Sequence, residues 1–392
     1  MFKQLQIYNK RERRLVGCLD CFLTPLGTIN GWRRVRQTSI PKRVLLLRLE
    51  RIGDLLMVVD AVHRIRAHLP NAFIQLVVGS WNDDLAKLIS GVDQIKVLNV
   101  PWLAREDKSS SVQATIQMAW SWRKQEFDLA INFEPDIRSN ALLAVSGSPQ
   151  RVGYRTGGGE GFLTDALDYK PSIHTADNAR RLVQHIFSDK RDNTLATDDH
   201  LLGPLPAHVH QRADELLGLK ESHPFLVGIN VSGGRQIKQW PAERFADTAA
   251  ILSHEDKATI VLLGSEADQS IGNAVVNNLS PSVHPINLIG HISLIELAGV
   301  LERLRLLVTG DTGPMHLAAS VGTPVVSIFG PSDPVRYAPL TSQRQIVHAD
   351  LWCRPCNQIR CPPARCNSGT PDCLEKVSVP KVIKAVRDLL RN

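Results

Sequence analysis

No uninterrupted apolar stretch in this 392-residue sequence approaches the ~18–20 residues that a helix needs to cross a bilayer. The apolar segment nearest the start, LVGCLDCFL, is short and broken by Asp20, which argues against a secretory signal and leads us to expect a cytosolic protein. No GxGxxG follows the first buried run, which counts against a nicotinamide or flavin enzyme. GxSxG, HExxH and GxxxxGK[ST] are missing too, and no DxD pair marks a metal-dependent sugar transferase. Nor is the composition extreme: 43% hydrophobic, 22% charged, Gly 26 and Pro 23 exclude a disordered, collagen-like or coiled-coil chain. The length is large for a single core and suggests two domains.

The charge is unevenly spread. Lys+Arg 46 against Asp+Glu 39 gives a net +7, but residues 1–43 hold ten basic and two acidic residues, so everything after them sums to −1. A protein-wide nucleic-acid surface is therefore not expected. Residues 1–42 form a basic arm that interleaves Phe2, Leu5, Ile7, Leu15, Phe22 and Trp32 with its charges. That pattern suits an anionic membrane surface, and equally a solvated charge run.

From Arg43 onward, strand and helix alternate. VLLLRL (44–49), FIQLVVGS (73–80), IKVLNV (95–100) and LAINF (129–133) read as buried parallel strands. Helical stretches stand at 54–69, 82–90 and 111–125. Residues 155–205 lose this rhythm to Gly, Pro and charge and read as a linker. After a helix at 207–219 the alternation restarts with FLVGINV (225–231), ATIVLLGS (258–265), INLIG (286–290), LRLLVTGD (304–311) and PVVSIFG (324–330). The expectation is an α/β protein with two doubly wound, Rossmann-like domains, 43–205 and 206–377, and a last helix within 378–392. Sites in such sheets lie beyond the C-terminal strand ends, which predicts a central cleft faced by both.

Polar residues directly after these strands are the candidates for chemistry. In Arg48-Leu-Glu-Arg51-Ile-Gly53-Asp54, Gly53 allows a tight turn, and Asp54 at the helix start is either a general base or an N-cap. Val231-Ser232-Gly233-Gly234-Arg235-Gln236-Ile237-Lys238-Gln239-Trp240-Pro241 reads as a phosphate cradle or a flexible loop. Thr309-Gly310-Asp311-Thr312-Gly313-Pro314-Met315-His316 offers helix N-terminal amides to an anion, with His316 as a ligand contact or a packed core histidine. Glu266, after Gly264-Ser265, could meet a ribose hydroxyl. Cys353, Cys356, Cys361, Cys366 and Cys373 share one loop, with Cys18 and Cys21 in the arm. Their spacing fits no standard zinc ribbon, so packed free thiols are expected and no metal is assigned.

Together, RIGD, the K-x-WP of Lys238–Pro241, DTGPMHLAA (311–319), GTPVVSIFGPSDP (322–334) and the C-x-P-C loop resemble glycosyltransferase family 9, the heptosyltransferases of the lipopolysaccharide inner core. The resemblance runs from about Arg43 to the C-terminus and implies a GT-B fold with an acceptor domain followed by a nucleotide-sugar domain. It implies an inverting reaction without metal or other cofactor, from ADP-heptose to a lipid-linked glycan; the basic arm, for which the family offers no guide, adds the expectation of a place on the inner face of the cytoplasmic membrane. Carried over by position, Asp54 would be the general base, with Arg51 and Gly53 on the acceptor side. Lys238 would neutralise the donor phosphates, with Ser232 and Gly233 nearby and Glu266 on the donor side. Asp311 would hold sugar hydroxyls, and Thr312, Gly313 and His316 would line the phosphate end. Departures from the family pattern are Asp60, where Pro is usual, Gly310 in place of Asn, the basic arm, and Cys366. Two other readings remain at this level: a family member using another nucleotide sugar for a different glycan, and a Cys-loop metal-binding regulator contacting nucleic acid.

Overall fold

The computed structural model describes residues 5, 7, 9–29, 40–103, 110–188, 201–219, 225–366 and 369–391. Phe2, Lys3, Trp32, Arg33, Arg34 and Arg36 of the basic arm lie outside the described residues, as does part of the expected linker. The chain divides into two compact units, Met1–Asn193 and Thr194–Asn392.

In the first unit, β1 (Arg43–Arg48), β2 (Phe73–Val78), β3 (Gln94–Val97), β4 (Leu129–Asn132), β5 (Gln150–Tyr154) and β6 (Asp165–Leu167) form a parallel sheet ordered β3-β2-β1-β4-β5-β6. Its helices are α1 (Lys10–Ile29), α2 (Ile52–Leu56), α3 (Val59–His68), α4 (Asp83–Ala86), α5 (Val112–Ser121), α6 (Ile137–Val145) and α7 (Thr175–Phe187). Val44, Leu45, Leu46 and Leu47 are all fully buried, as a central strand covered on both faces requires. Leu45 and Leu47 pack with Trp122, Phe127, Ala130 and Leu143 in one core cluster.

The second unit repeats the plan. β7 (Leu226–Asn230), β8 (Thr259–Leu263), β9 (Ile286–Asn287), β10 (Leu306–Gly310), β11 (Val325–Ile328) and β12 (Arg344–Val347) run in the order β12-β11-β10-β7-β8-β9. The helices are α8 (Ala207–Leu217), α9 (Ala242–His254), α10 (Gln269–Asn278), α11 (Leu294–Arg303), α12 (Gly313–Ser320), α13 (Pro334–Tyr337), α14 (Asp372–Glu375) and α15 (Val379–Arg391). In each sheet the chain starts at the middle, builds outward on one side, then returns to build on the other. The strand order therefore reverses between β1 and β4, and again between β7 and β10, which is where doubly wound sheets bind ligands.

Three expectations change. The stretch read as a linker from residue 155 contains β6 and α7, and α7 is locked to α3 by a buried ion cluster. The Asp60 carboxylate accepts from Arg64 Nε at 2.9 Å and from Arg180 Nε at 2.6 Å. Asp60, the departure noted in the first helix, is thus structural, and the chain breaks into α2 and α3 just before it. Residues 201–205, placed at the end of the first domain, belong to the second unit, where the Leu201 and Leu202 N–H groups donate to the Ser320 carbonyl. Third, the described part of the basic arm is packed onto the first unit. Leu5 and Ile7 are buried against Ile137, with Val16 of α1 and Phe162 beside them. Asp20 of α1 accepts from the Gly159 N–H at 2.9 Å.

The TGGGEG run has a definite task in that packing. A Cβ on Gly157 would lie 1.8 Å from the Pro135 carbonyl oxygen, so only glycine lets this turn close over the loop that follows β4. Gly158, at φ +89°, could carry no Cβ without striking Leu5 at 2.5 Å.

Candidate active site

At the first switch point, Arg48 ends β1 with its side chain 2% exposed. A guanidinium so deep must satisfy all its donors. Nε donates to the Asp54 carbonyl at 3.0 Å, Nη1 to the Phe133 carbonyl at 2.7 Å, and Nη2 to Asp54 Oδ1 at 3.3 Å. Nη1 also pairs with Glu50 Oε2 at 3.0 Å. Glu134, one residue past the β4 run, is buried beside it. Its Oε1 accepts from the Leu49 N–H and, at 3.1 Å, from the Glu50 N–H, while Oε2 accepts from the Ser139 hydroxyl at 2.5 Å. The loops after β1 and β4 are stitched together by these bonds.

Asp54 lies inside the first turn of α2, whose N-cap is Arg51, so it is not itself the cap. Its Oδ2 reaches back to the Arg51 N–H at 3.2 Å, the second half of a capping box. Both oxygens are thereby oriented, yet the side chain stays 30% exposed, with lone pairs left over for a ligand. Gly53 also sits within α2 and does not use a left-handed φ, so the turn is not made by glycine's special freedom. The Arg51 guanidinium lies 4.4 Å from the centroid of the Trp81 ring and donates to the Leu103 carbonyl at 2.7 Å.

Three carboxyls around one buried guanidinium cannot all be compensated. Among the described residues Glu134 has three donors and Asp54 has two, whereas the Glu50 carboxylate is bonded to Arg48 alone. Burial pushes Glu50 up to about 8, with Asp54, Glu134 and Asp136 adding like charge against the pull of Arg48. Burial raises Glu134 as well, opposed by Arg48 and the Ser139 hydroxyl. Burial would weaken the Arg48 charge, but Glu50, Asp54 and Glu134 outweigh it and hold the guanidinium above its usual range. Arg48, Glu50, Glu134 and Ser139 carry no assignment in the sequence reading. The signal for Glu134 was available, since it follows a buried run just as the assigned residues do.

The second switch point is built from hydroxyls, amides and one ion pair. Past β7 the chain folds back on itself. A Cβ on Gly233 would lie 2.9 Å from the Gln239 nitrogen, and Gly234, at φ +64°, donates its N–H to the Ser232 hydroxyl at 3.2 Å. This loop carries Lys238 to the end of β10. There Nζ donates to the Asp311 carbonyl and lies 3.2 Å from Asp311 Oδ2. The Ser332 hydroxyl, from the loop after β11, donates to the same Oδ2 at 2.5 Å. Among the described residues the ammonium donates to Asp311, with a third proton open to a ligand. Beneath, Asn230 Nδ2 donates to Thr309 Oγ1 at 2.9 Å and to Thr312 Oγ1 at 3.2 Å. Thr312 is the N-cap of α12; Pro314 has no N–H and the Met315 N–H donates to the Thr312 carbonyl at 3.2 Å, so the Gly313 N–H is the first-turn amide left to meet an anion.

Two assigned residues stand apart. His316 is 6% exposed along α12, the packed arrangement. Glu266 is exposed at the end of β8 in a turn capped by Ser265 and Asp268, outside the Lys238–Asp311–Ser332 web. Gly310 needs no special conformation, because an added Cβ would meet only Ser232 O at 3.5 Å and Lys238 O at 3.7 Å. The seven cysteines are unpaired thiols. Cys373 is buried, and burial together with the neighbouring Cys356, Cys366 and Cys353 pushes its thiol up to about 11.

The family model of glycosyltransferase family 9 (heptosyltransferase) matches residues 116–366, well over half of the chain. This protein is a family 9 glycosyltransferase. Its relatives include the lipopolysaccharide core heptosyltransferase OpsX of Haemophilus influenzae, 22% identical over 320 residues, covering 79% of this chain and 85% of that protein. Among solved structures, a family 9 glycosyl transferase of Veillonella parvula aligns with a TM-score of 0.74 at 24% identity, over 89% of this chain and 97% of that one. The ADP-heptose lps heptosyltransferase II of E. coli aligns with a TM-score of 0.69 at 20% identity, over 89% and 98%. The two parallel sheets of this family 9 enzyme are accordingly those of the α/β, GT-B class.

Proposed function

We propose that the enzyme transfers heptose from ADP-heptose to a lipopolysaccharide inner-core or similar lipid-linked acceptor, with inversion and without a metal ion. The observation that carries this reading is the pairing of chemistries at the two switch points: an oriented, partly exposed carboxylate in one unit, and an ammonium beside a helix N-terminus in the other. The first unit takes the acceptor and the second the donor. Asp54 accepts the proton of the acceptor hydroxyl as its oxygen attacks the anomeric carbon from the side opposite the diphosphate. The bond from that carbon to the diphosphate oxygen breaks, and ADP departs as an anion against Lys238 and the Gly313 amide. Ser232, Gly233, Thr312 and Gly313 line the phosphates, Asp311 receives sugar hydroxyls, and Arg51 and Gly53 frame the acceptor, while Glu266 and His316 stay outside this set. The missing DxD pair supports charge neutralisation by protein groups alone. The names of the Haemophilus and E. coli relatives support the sugar and the glycan. A lipid-linked acceptor and a basic N-terminal segment support work at the cytoplasmic face of the inner membrane.

A donor panel tests this. Purified enzyme with a soluble core-glycan acceptor should release nucleotide from ADP-heptose, and chelator should leave the rate unchanged. Faster release from another nucleotide sugar would replace the donor, and loss of activity in chelator would end the metal-free mechanism.

A further inference from the structure

Among the described residues no helix is long and apolar enough to cross a membrane. Even so, α1 turns large apolar side chains to solvent: Leu15 is 65% exposed, Leu19 50% and Phe22 73%. Positions 15, 19 and 22 fall on one helical stripe. The opposite side is occupied. Val16 packs against the Leu5–Ile7–Ile137 cluster, Gly17 is buried, and Asp20 binds the Gly159 N–H. Charge is sorted in the same way. Arg11 and Arg14 are exposed beside the apolar stripe, Asp20 is engaged inward with Gly159, and Glu12, itself 44% exposed, is paired with Arg138 at 3.2 Å. A second helix of this unit shows the same combination. Val112, Ile116 and Trp120 of α5 form an exposed i, i+4, i+8 row, with the Arg123 guanidinium 4.1 Å from the centroid of the Trp120 ring.

We propose that the outward face of α1 docks on a bilayer carrying anionic headgroups. An apolar stripe edged by Arg11 and Arg14, with the one acid of its flank neutralised by Arg138, matches an interface of acyl chains under negative charge. Docking here would also fix the candidate acceptor site. Glu12 holds Arg138, whose Nη2 holds Asp136 at 2.6 Å, two residues from Glu134 and the Arg48 cluster. The inference rests on the proposed function only in taking the acceptor to be lipid-linked.

Deleting residues 1–42 is a poor test, because it would strip Leu5, Ile7 and α1 from Ile137 and Phe162. Exposed side chains serve instead. Full-length wild type, Leu19→Ser/Phe22→Ser and Arg11→Gln/Arg14→Gln are sedimented with vesicles of phosphatidylglycerol and phosphatidylcholine, and with phosphatidylcholine alone. Wild type should bind the anionic vesicles only. The arginine variant should bind roughly tenfold to thirtyfold more weakly, at about a kcal/mol per charge, and about 0.5 M salt should have a similar effect on wild type. The apolar variant should lose at least about tenfold. Both should keep the wild-type melting temperature and full transfer to a soluble acceptor fragment, while transfer to a vesicle-borne acceptor falls. Equal binding to both vesicle types, or binding indifferent to both variants, overturns the proposal. So does a wild-type dimer in solution that Leu19→Ser/Phe22→Ser dissolves without any vesicle binding, which would make the stripe a self-association surface. Absence of transfer to any acceptor would count against the proposed function, and vesicle binding would still be read independently.

Discussion

Around the end of β1, a buried guanidinium is shared by the carboxyls of Glu50 and Asp54 with Glu134 close by. Around the end of β10, Asp311 binds one ammonium and one hydroxyl above a net of Asn230, Thr309 and Thr312. The strand order and the point of reversal are the same in both sheets, so topology alone does not account for the contrast. What differs is the charge left facing outward. The first unit gathers excess negative charge and exposes part of a carboxylate, as a proton acceptor requires. The second holds a part-buried ammonium, paired with Asp311, beside the start of α12, which suits a departing anion. One fold plan thus positions opposite electrostatics at equivalent places.

The sharpest way to break the comparison is Asp54→Asn. Turnover should fall about 10³- to 10⁴-fold while calorimetry shows unchanged donor affinity, because the proposed function puts the proton acceptor in one unit and the donor in the other. Turnover within a few-fold of wild type would reduce Asp54 to a capping residue of α2.

Next in size is Arg48→Met. It leaves the Glu134 cluster buried without its cation and should cost about 3–5 kcal/mol in denaturant unfolding. A loss under 1 kcal/mol would mean the carboxyls simply take up protons.

In the second unit, Lys238→Ala should weaken donor binding and slow transfer by about 2–4 kcal/mol together, without the large loss of stability expected for Arg48. Normal donor binding in this variant would remove Lys238 from the phosphate site.

The smallest effect concerns pH and should be confined to the first unit. Glu50 is pushed up to about 8 by burial, so the folded state holds a proton that the unfolded chain has already lost. Stability from this group is complete below the ordinary glutamate pKa, declines as pH rises from about 4.5, and levels off above about 8. Its side chain is a quarter exposed, so solvent limits the decline to roughly 1–3 kcal/mol. Melting temperatures across that window should fall for wild type and flatten in Glu50→Gln; parallel curves would show that Glu50 is ionised throughout.

Much of this fold is legible in local pattern. Runs such as VLLLRL and LRLLVTG are apolar because strands buried on both faces must be, and the polar residue ending each run marks the ligand-binding edge. The Lys238 loop and the Thr312–Gly313–Pro314 helix start are equally local, built from turn and cap residues within a dozen positions. Legibility ends where partners are remote. β5 and β6 lie toward one edge of the sheet, and the β5 sequence QRVGY shows no apolar run. Its Arg151 is buried because Nε finds the Phe162 carbonyl at 2.7 Å and Nη1 the Ser148 carbonyl at 2.6 Å. Arg180 makes α7 look solvated, although its guanidinium is neutralised by Asp60, 120 residues earlier.

The sequence by itself determined the class of sheet, the places where each strand ends, and the residues offered at those ends, since each follows from the preferences of a short segment. Tertiary structure alone decided which offers meet. Glu134 reaches the Leu49 N–H across 85 residues, and Lys238 reaches Asp311 across 73. Tertiary packing likewise turned one side of a basic segment inward against Ile137 and left the other as an apolar stripe. The physical reason is that burial of a charge is tolerable only when its counter-charge and donors arrive with it, and nothing in the spacing along the chain records that arrival.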